Sequence, residues 1–316
     1  MRVPRLRPKT YRAITFASLV SLAAIVVTGA LVRLTDSGLG CSDWPRCNDD
    51  KIIDVSSTHA AVEQINRLFT GVVSLAVILA VAGSLIRSPR RKDLTWLSLS
   101  LVIGVIGQAV VGGIVVLTHL NPIAVQQHFL LSMVILAAAV VLHRRATLLD
   151  GERWVRAVEP GTMRLVWLVA ALTALAIVTG TVTTGTGPHS GIHKGEYVRR
   201  FGFEISSVAR VHSSAVILTV LSALWLVWRV RGRPDRLRLE NAISTVLVVA
   251  LTQGAVGYLQ YFNGVPVVLV ALHVGFATTL WLSVVYLLVA TRNVVAGEQP
   301  LPSDEASELS ADVVEL

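Results

Sequence analysis

Eight stretches of this chain are apolar over about 20 residues each, the length a helix needs to cross a bilayer. They cover 13–34, 62–86, 94–117, 123–142, 165–185, 206–228, 241–262 and 266–290. A backbone in lipid has no water to bond to, so each such stretch must satisfy its N–H and C=O groups internally. The expected fold is therefore an all-α integral membrane protein with eight transmembrane helices. A charged fraction of 15% against 53% hydrophobic agrees with that class. The first run is too long, and too well continued by later spans, for a cleaved signal peptide.

The net charge of +8 raises nucleic acid as a partner, but the positions of the charges exclude it. Nineteen of the 28 Lys and Arg lie before span one or in the connections after spans two, four and six. Five, Arg46, Lys51, Lys194, Arg199 and Arg200, lie in the opposite connections. By the positive-inside rule both termini face the cytoplasm of a bacterial-type cell membrane. The basic excess then meets membrane lipid.

The chain repeats itself. Gln108 precedes His128 by twenty residues, as Gln253 precedes His273, and Gly112 and Gly257 follow the two glutamines by four. Pro122 and Pro266 stand before the histidines, and Thr28-Gly29 near the end of span one recurs as Thr179-Gly180 in span five. The expected architecture is two tandem, pseudo-symmetric four-helix bundles of the same orientation, related by an axis along the membrane normal. An N-terminal unit spans 1–150 and a C-terminal unit 151–294, and an acidic tail at 295–316 is expected to be mobile.

Three histidines, His128, His212 and His273, lie about two turns inside their spans among apolar neighbours. One buried His often only bonds to a neighbour, but three at one depth on matching helices point to metal ligation. No Cys or Asp clusters with them, which disfavours zinc. Axial imidazoles from facing helices of a bundle suit haem. His212 and His273 make a complete pair. His128 matches His273, but the position matching His212 is Asn66, a poor iron ligand. His59 lies on the same helical face as Asn66, about 10 Å nearer the outer surface. His143 and His119 read as surface or loop residues, as do His189 and His193, for which a metal or haem-propionate contact is the alternative.

His59, Glu63, Asn66 and Arg67 form a polar stripe on an apolar helix. A carboxylate there is costly unless paired or working. Arg67 is one turn away and suits it as ion partner. The pair either fixes packing or presents a carboxylate to a haem site for proton or water handling. The two cysteines, Cys41 and Cys47, share the first outer loop, where a disulfide is expected. Its role is either a staple or redox.

Arg33 to Cys47, with Thr35-Asp36-Ser37-Gly38-Leu39-Gly40 at its centre, resembles the first outer loop of the haem A synthases. Glu63-Gln64-Ile65-Asn66-Arg67 resembles their Glu-x-x-His-Arg signature, and the segments around His128, His212 and His273 resemble their other histidine segments. The resemblance covers all eight spans. It implies an oxidoreductase that converts haem O to haem A, through successive hydroxylations of a ring methyl to a formyl, for cytochrome c oxidase. It implies haem b held by His212 and His273, substrate haem at His128, a catalytic Glu63, and the Cys41–Cys47 pair. Asn66, with His59 and Arg67 nearby, takes the place of the family's remaining His. Either His128 alone ligates the substrate iron or His59 fills the vacancy. Haem O synthase is a candidate partner, as is a second copy of the chain. The rivals are a membrane b-type cytochrome, a non-enzymatic haem carrier or oxidase-assembly factor, and a secondary transporter.

Overall fold

A computed structural model describes residues 5–192 and 197–296. Eight helices long and apolar enough to cross a membrane form the body: α1 (Pro8–Leu34), α2 (Thr58–Ile86), α3 (Lys92–Leu117), α4 (Pro122–Ala146), α5 (Pro160–Thr186), α6 (Ile205–Val230), α7 (Asp235–Phe262) and α8 (Val267–Ala290). Several begin before their apolar runs. Pro at the first position of α1, α4 and α5 has no N–H to leave unpaired and is already set for a helix. Ser57 caps α2 by accepting from the Ala60 N–H, and Asn121 caps α4 by accepting from the Ile123 N–H.

Neighbouring helices in α1–α4 pack in a closed ring, 1-2-3-4-1, and those in α5–α8 do the same. Each ring has its own core. Leu22, Val73, Leu101 and Leu136 lie in the first, and Val166, Leu226, Ile243 and Val284 in the second. Between the rings α1 meets α8, α4 meets α5, and α4 meets α8, a pattern unchanged when each helix is exchanged for the one four places away. Polar contacts cross this seam, among them Trp281 Nε1 to the Met133 carbonyl at 2.7 Å and Gln126 Nε2 to Thr181 Oγ1 at 2.8 Å. Large apolar side chains such as Ile65, Ile103 and Val248 point outward. That would be a liability in water and is the normal surface in lipid.

The fold is not purely helical. At the end of the bundle where α1 starts and α8 stops, labelled inner to distinguish it from the opposite, outer end, β1 (Glu152–Arg156) pairs antiparallel with β2 (Arg292–Ala296), with Trp154 opposite Val294. The sequence reading starts a mobile tail at Val295. The ribbon instead carries order through Ala296, because each edge supplies the other's backbone partners. Residues 297–316 of the expected tail lie outside the described residues. Inner arginines also do more than set charge. Arg87 pairs with Asp150 at 2.8 Å, and Asp93 takes Arg91 at 2.8 Å and Arg145 at 3.2 Å.

At the outer end the two long connections touch: the Gly38 N–H donates to the Gly191 carbonyl at 2.8 Å. A Cβ on Gly38 would stand 2.9 Å from that oxygen, so the approach needs glycine. Arg33, at the end of α1, donates to the His189 carbonyl from Nε at 3.0 Å and from Nη2 at 2.9 Å. Arg200 donates to the carbonyls of Thr184 and Gly187, and burial lowers its pKa from the ordinary value. In the first loop Asp54 accepts from the Ser56 N–H and from Lys51 Nζ. Hydrogen bonds from Ser56, then Lys51, hold its carboxyl down at about 2.

Candidate functional site

His212 of α6 and His273 of α8 face one another across the second ring. Their ring centroids are 6.3 Å apart and the rings are turned by 75°. Two imidazoles bound through nitrogen on opposite sides of one metal, with bonds of about 2.0 Å, put their ring centres about 6.3 Å apart. The tautomer also suits a ligand. Thr179 Oγ1 gives its proton to the carbonyls of Leu175 and Ala176 at 2.9 and 3.0 Å and lies 3.2 Å from His212 Nδ1. Nδ1 is then the donor of that contact, and Nε2 keeps its lone pair for a metal. His273 Nδ1 is buried without a hydrogen bond of normal geometry, although the Gln253 backbone carbonyl faces the ring.

Each imidazole lies against a glycine of the preceding helix. A Cβ on Gly112, Gly180 or Gly257 would stand 3.2, 3.0 or 2.9 Å from Cε1 of His128, His212 or His273. These are the glycines that mark the repeat, and their use is now plain: they let the ring sit flat on the neighbouring backbone. Gln108 of the first unit donates from Nε2 to the His128 carbonyl at 3.1 Å and to Ser132 Oγ at 2.7 Å. The second unit has Ala277 where the first has Ser132.

The first ring departs from this pattern at α2. Asn66 occupies the place of His212, and the Thr28 hydroxyl donates to its Oδ1 at 2.8 Å. Beside Gly29, where Gly180 has an imidazole, a Cβ would meet nothing within 4 Å. A cleft of about 350 Å³, open on the side of the exposed Ile65, lies between α1 and α2, lined by Thr28, Leu31, Val32, Val62, Ile65, Asn66 and Phe69. His59 sits at the start of α2, with Nδ1 3.0 Å from Ser37 Oγ.

Glu63, 6% exposed, is held from two directions. Its Oε1 accepts from Arg67 Nη2 at 2.7 Å and Nε at 3.0 Å, a forked contact one helical turn along α2. Its Oε2 accepts from the Cys41 N–H at 2.8 Å. Arg67 reaches on to the carbonyls of Asp43 and Arg46, at 3.1 and 3.0 Å. Cys41 and Cys47 are joined. The short ring they close is therefore fastened over α2 by one carboxylate and one guanidinium. Trp44, within that ring, lies on Gly113 of α3, where a Cβ would stand 2.7 Å from the indole. The loop thus covers the outer end of the first ring, one residue from the glycine that supports His128. Gly40 makes this close crossing only because it lacks a Cβ, which would fall 2.2 Å from the His59 carbonyl.

Two peripheral histidines are placed differently from their sequence reading. His143 is half-buried rather than solvated, with Nδ1 3.1 Å from Thr15 Oγ1 and its ring against Phe16. A helix from the neighbouring span covers it, which a neighbouring Arg144-Arg145 pair does not reveal. His189 is half-buried and its Nε2 lies 2.8 Å from the Val265 carbonyl, so it joins the second outer connection to the α7–α8 turn. His193 lies outside the described residues. Sequence reasoning missed Thr28, Thr179, Trp44 and Ser132. The two threonines carry a signal, their recurrence before a glycine, but its meaning appears only when the helices pair.

Comparison with known proteins bears on this arrangement. The family model COX15-CtaA, described as cytochrome oxidase assembly protein, matches residues 12–285. A protein named heme A synthase from Listeria welshimeri is 27% identical over 289 residues, 87% of this chain and 94% of its own length. One of the same name from Listeria innocua is 26% identical over the same extent. A third, from Lysinibacillus sphaericus, is 32% identical over 127 residues, 40% of this chain and 41% of that protein. The match to the family model runs through all eight helices, and the chain belongs to the COX15-CtaA family of cytochrome oxidase assembly proteins, the haem A synthase family.

Proposed function

We propose that this chain makes haem A from haem O, oxidising one ring methyl to a formyl for use by cytochrome c oxidase. The observation that carries the reading is the inequality of the two rings. One has a facing imidazole pair at 6.3 Å. The other has a single His128, a buried Glu63 and a disulfide-closed lid. A scaffold used for electron transfer alone has no need of a carboxylate at this depth, nor of the loop fastened to it.

In this reading His212 and His273 hold a resident haem b, which supplies one-electron chemistry when bound. Thr179 fixes the His212 tautomer, and Gly180 and Gly257 fix both ring planes. The first ring would receive haem O from the lipid, with His128 as the residue that would hold its iron and Asn66 lining the site. Glu63 places water or accepts a proton beside the methyl under oxidation. Arg67 holds the carboxylate aimed, and the Cys41–Cys47 ring keeps bulk water from the outer end.

The units run 1–150 and 151–294, related by an approximate two-fold axis along the membrane normal, with both termini in the cytoplasm. The identical neighbour pattern of the two rings supports the axis, and the placement of arginines supports the orientation. The deciding experiment is product analysis. Cells supplied with haem O and expressing this chain should yield haem A, and cells expressing Glu63→Gln should not. Haem A from the variant at the normal level removes Glu63 from the chemistry. No haem A from either chain leaves the electron-transfer cytochrome as the better reading.

A further inference from the structure

The two rings differ most at one helix–helix contact. On α5 and α6, His212 lies on Gly180 and meets Thr179. On α1 and α2 the corresponding residues are Asn66, Gly29 and Thr28. The Thr28 hydroxyl holds Asn66 Oδ1 at 2.8 Å, and the volume over Gly29 is open to at least 4 Å. Residue 66 is thus shorter than an imidazole and is tethered toward α1. Its space adjoins the cleft of about 350 Å³, whose other walls are aliphatic apart from Phe69 and Thr28. His59 is about 10 Å up the helix, at 1.5 Å per residue, and lies beside Ser37.

We propose that the first ring keeps an open axial site, bounded by Gly29, Thr28 and Asn66, that takes one small uncharged exogenous ligand of the haem iron held by His128. The inference rests on the reading of that ring as a substrate-haem site. The second ring closes both axial positions with protein imidazoles, whereas the first closes one. With Oδ1 engaged by Thr28, the amide NH₂ of Asn66 is the group left to donate a hydrogen bond. A single neutral donor in an apolar wall suits a diatomic molecule or water with an acceptor atom. Asn66 is then a specificity-determining residue: it sets what approaches the iron from α2.

The test uses the full-length protein purified from membranes supplied with haem O, with carbon monoxide as probe of the reduced form and imidazole as probe of the oxidised form. Two haems per chain are expected. One should be low-spin and inert to both probes. The other should be high-spin, shift its Soret band with carbon monoxide, and turn low-spin with imidazole. Asn66→His should abolish carbon monoxide binding and make the second haem low-spin while haem content stays at two. His128→Ala should remove the reactive haem alone. Two haems that are both low-spin and inert in the unaltered protein overturn the proposal. Recovery of carbon monoxide binding in His59→Ala would then name His59 as the occupant. A chain that binds one haem only overturns the substrate-site reading and the open site together, and the haem count separates this from the preceding result.

Discussion

The Cys41 N–H donates to Glu63 Oε2 at 2.8 Å, which makes the orientation of a buried carboxylate depend on the shape of a disulfide-closed loop. Arg67 closes the same circuit, since its guanidinium bonds both to Glu63 and to two carbonyls of that loop. A carboxylate so held has little freedom to turn, and the loop has little freedom to lift. The predictions that concern the first ring follow from this circuit.

Replacing Arg67 by Ala should uncouple the two. The carboxylate loses its fork and three carbonyl and carboxylate acceptors lose their donor, at a cost of about 1–3 kcal/mol for each group left buried and unpaired. Protease access to the 41–57 connection in outside-facing vesicles should rise, and haem A yield should fall. Unchanged access would mean that the disulfide alone holds the loop.

Removing the disulfide as Cys41→Ser with Cys47→Ser should reproduce part of the Arg67→Ala effect and leave the resident haem untouched. The measure is haem b per chain beside haem A per cell. A drop in haem b would show that the loop acts on both rings.

Glycine substitutions should separate the rings without altering a polar group. Gly180→Ala and Gly257→Ala each put a methyl about 3 Å from an imidazole carbon, closer than ordinary van der Waals contact. The rings must turn or the helices part, and haem b content should fall in both. Gly29→Ala meets no atom within 4 Å and should keep haem b and a stable fold. Equal haem loss in all three would argue against the glycines as ring supports.

His212→Ala and His273→Ala should each abolish the low-spin haem b spectrum, and His59→Ala should preserve it. Loss of haem b in the last variant would give His59 a role that its place on α2, outside the ring of His212 and His273, does not suggest.

Much of the scaffold was legible from apolar run lengths, because a lipid environment leaves helices as the one way to satisfy the backbone within such runs. The eight spans follow from that, with their inner ends extended where Pro8 and Pro160 start helices outside the apolar zone. The ribbon of Glu152–Arg156 with Arg292–Ala296 was not legible, since it pairs segments 140 residues apart and neither has a strong alternating pattern. At the candidate site the residue types could be read and their partners could not. Thr28, Gly29, Thr179 and Gly180 stand out as a repeat, yet their contacts with positions 66 and 212 exist only between helices. Trp44 gave no sign that it would rest on Gly113. The half-burial of His143 and His189 depends on neighbours from distant spans, which local polarity does not report.

The β1–β2 ribbon has a topological consequence. The Ala157 N–H donates to the Thr291 carbonyl at 3.0 Å, so the end of α8 is pinned beside the entry to α5. The chain's midpoint and its last described strand meet at one place on the inner face. Both strands belong to the second half, so the ribbon closes that half upon itself. A cut near Asp150 would leave the clasp between its first and last described segments intact.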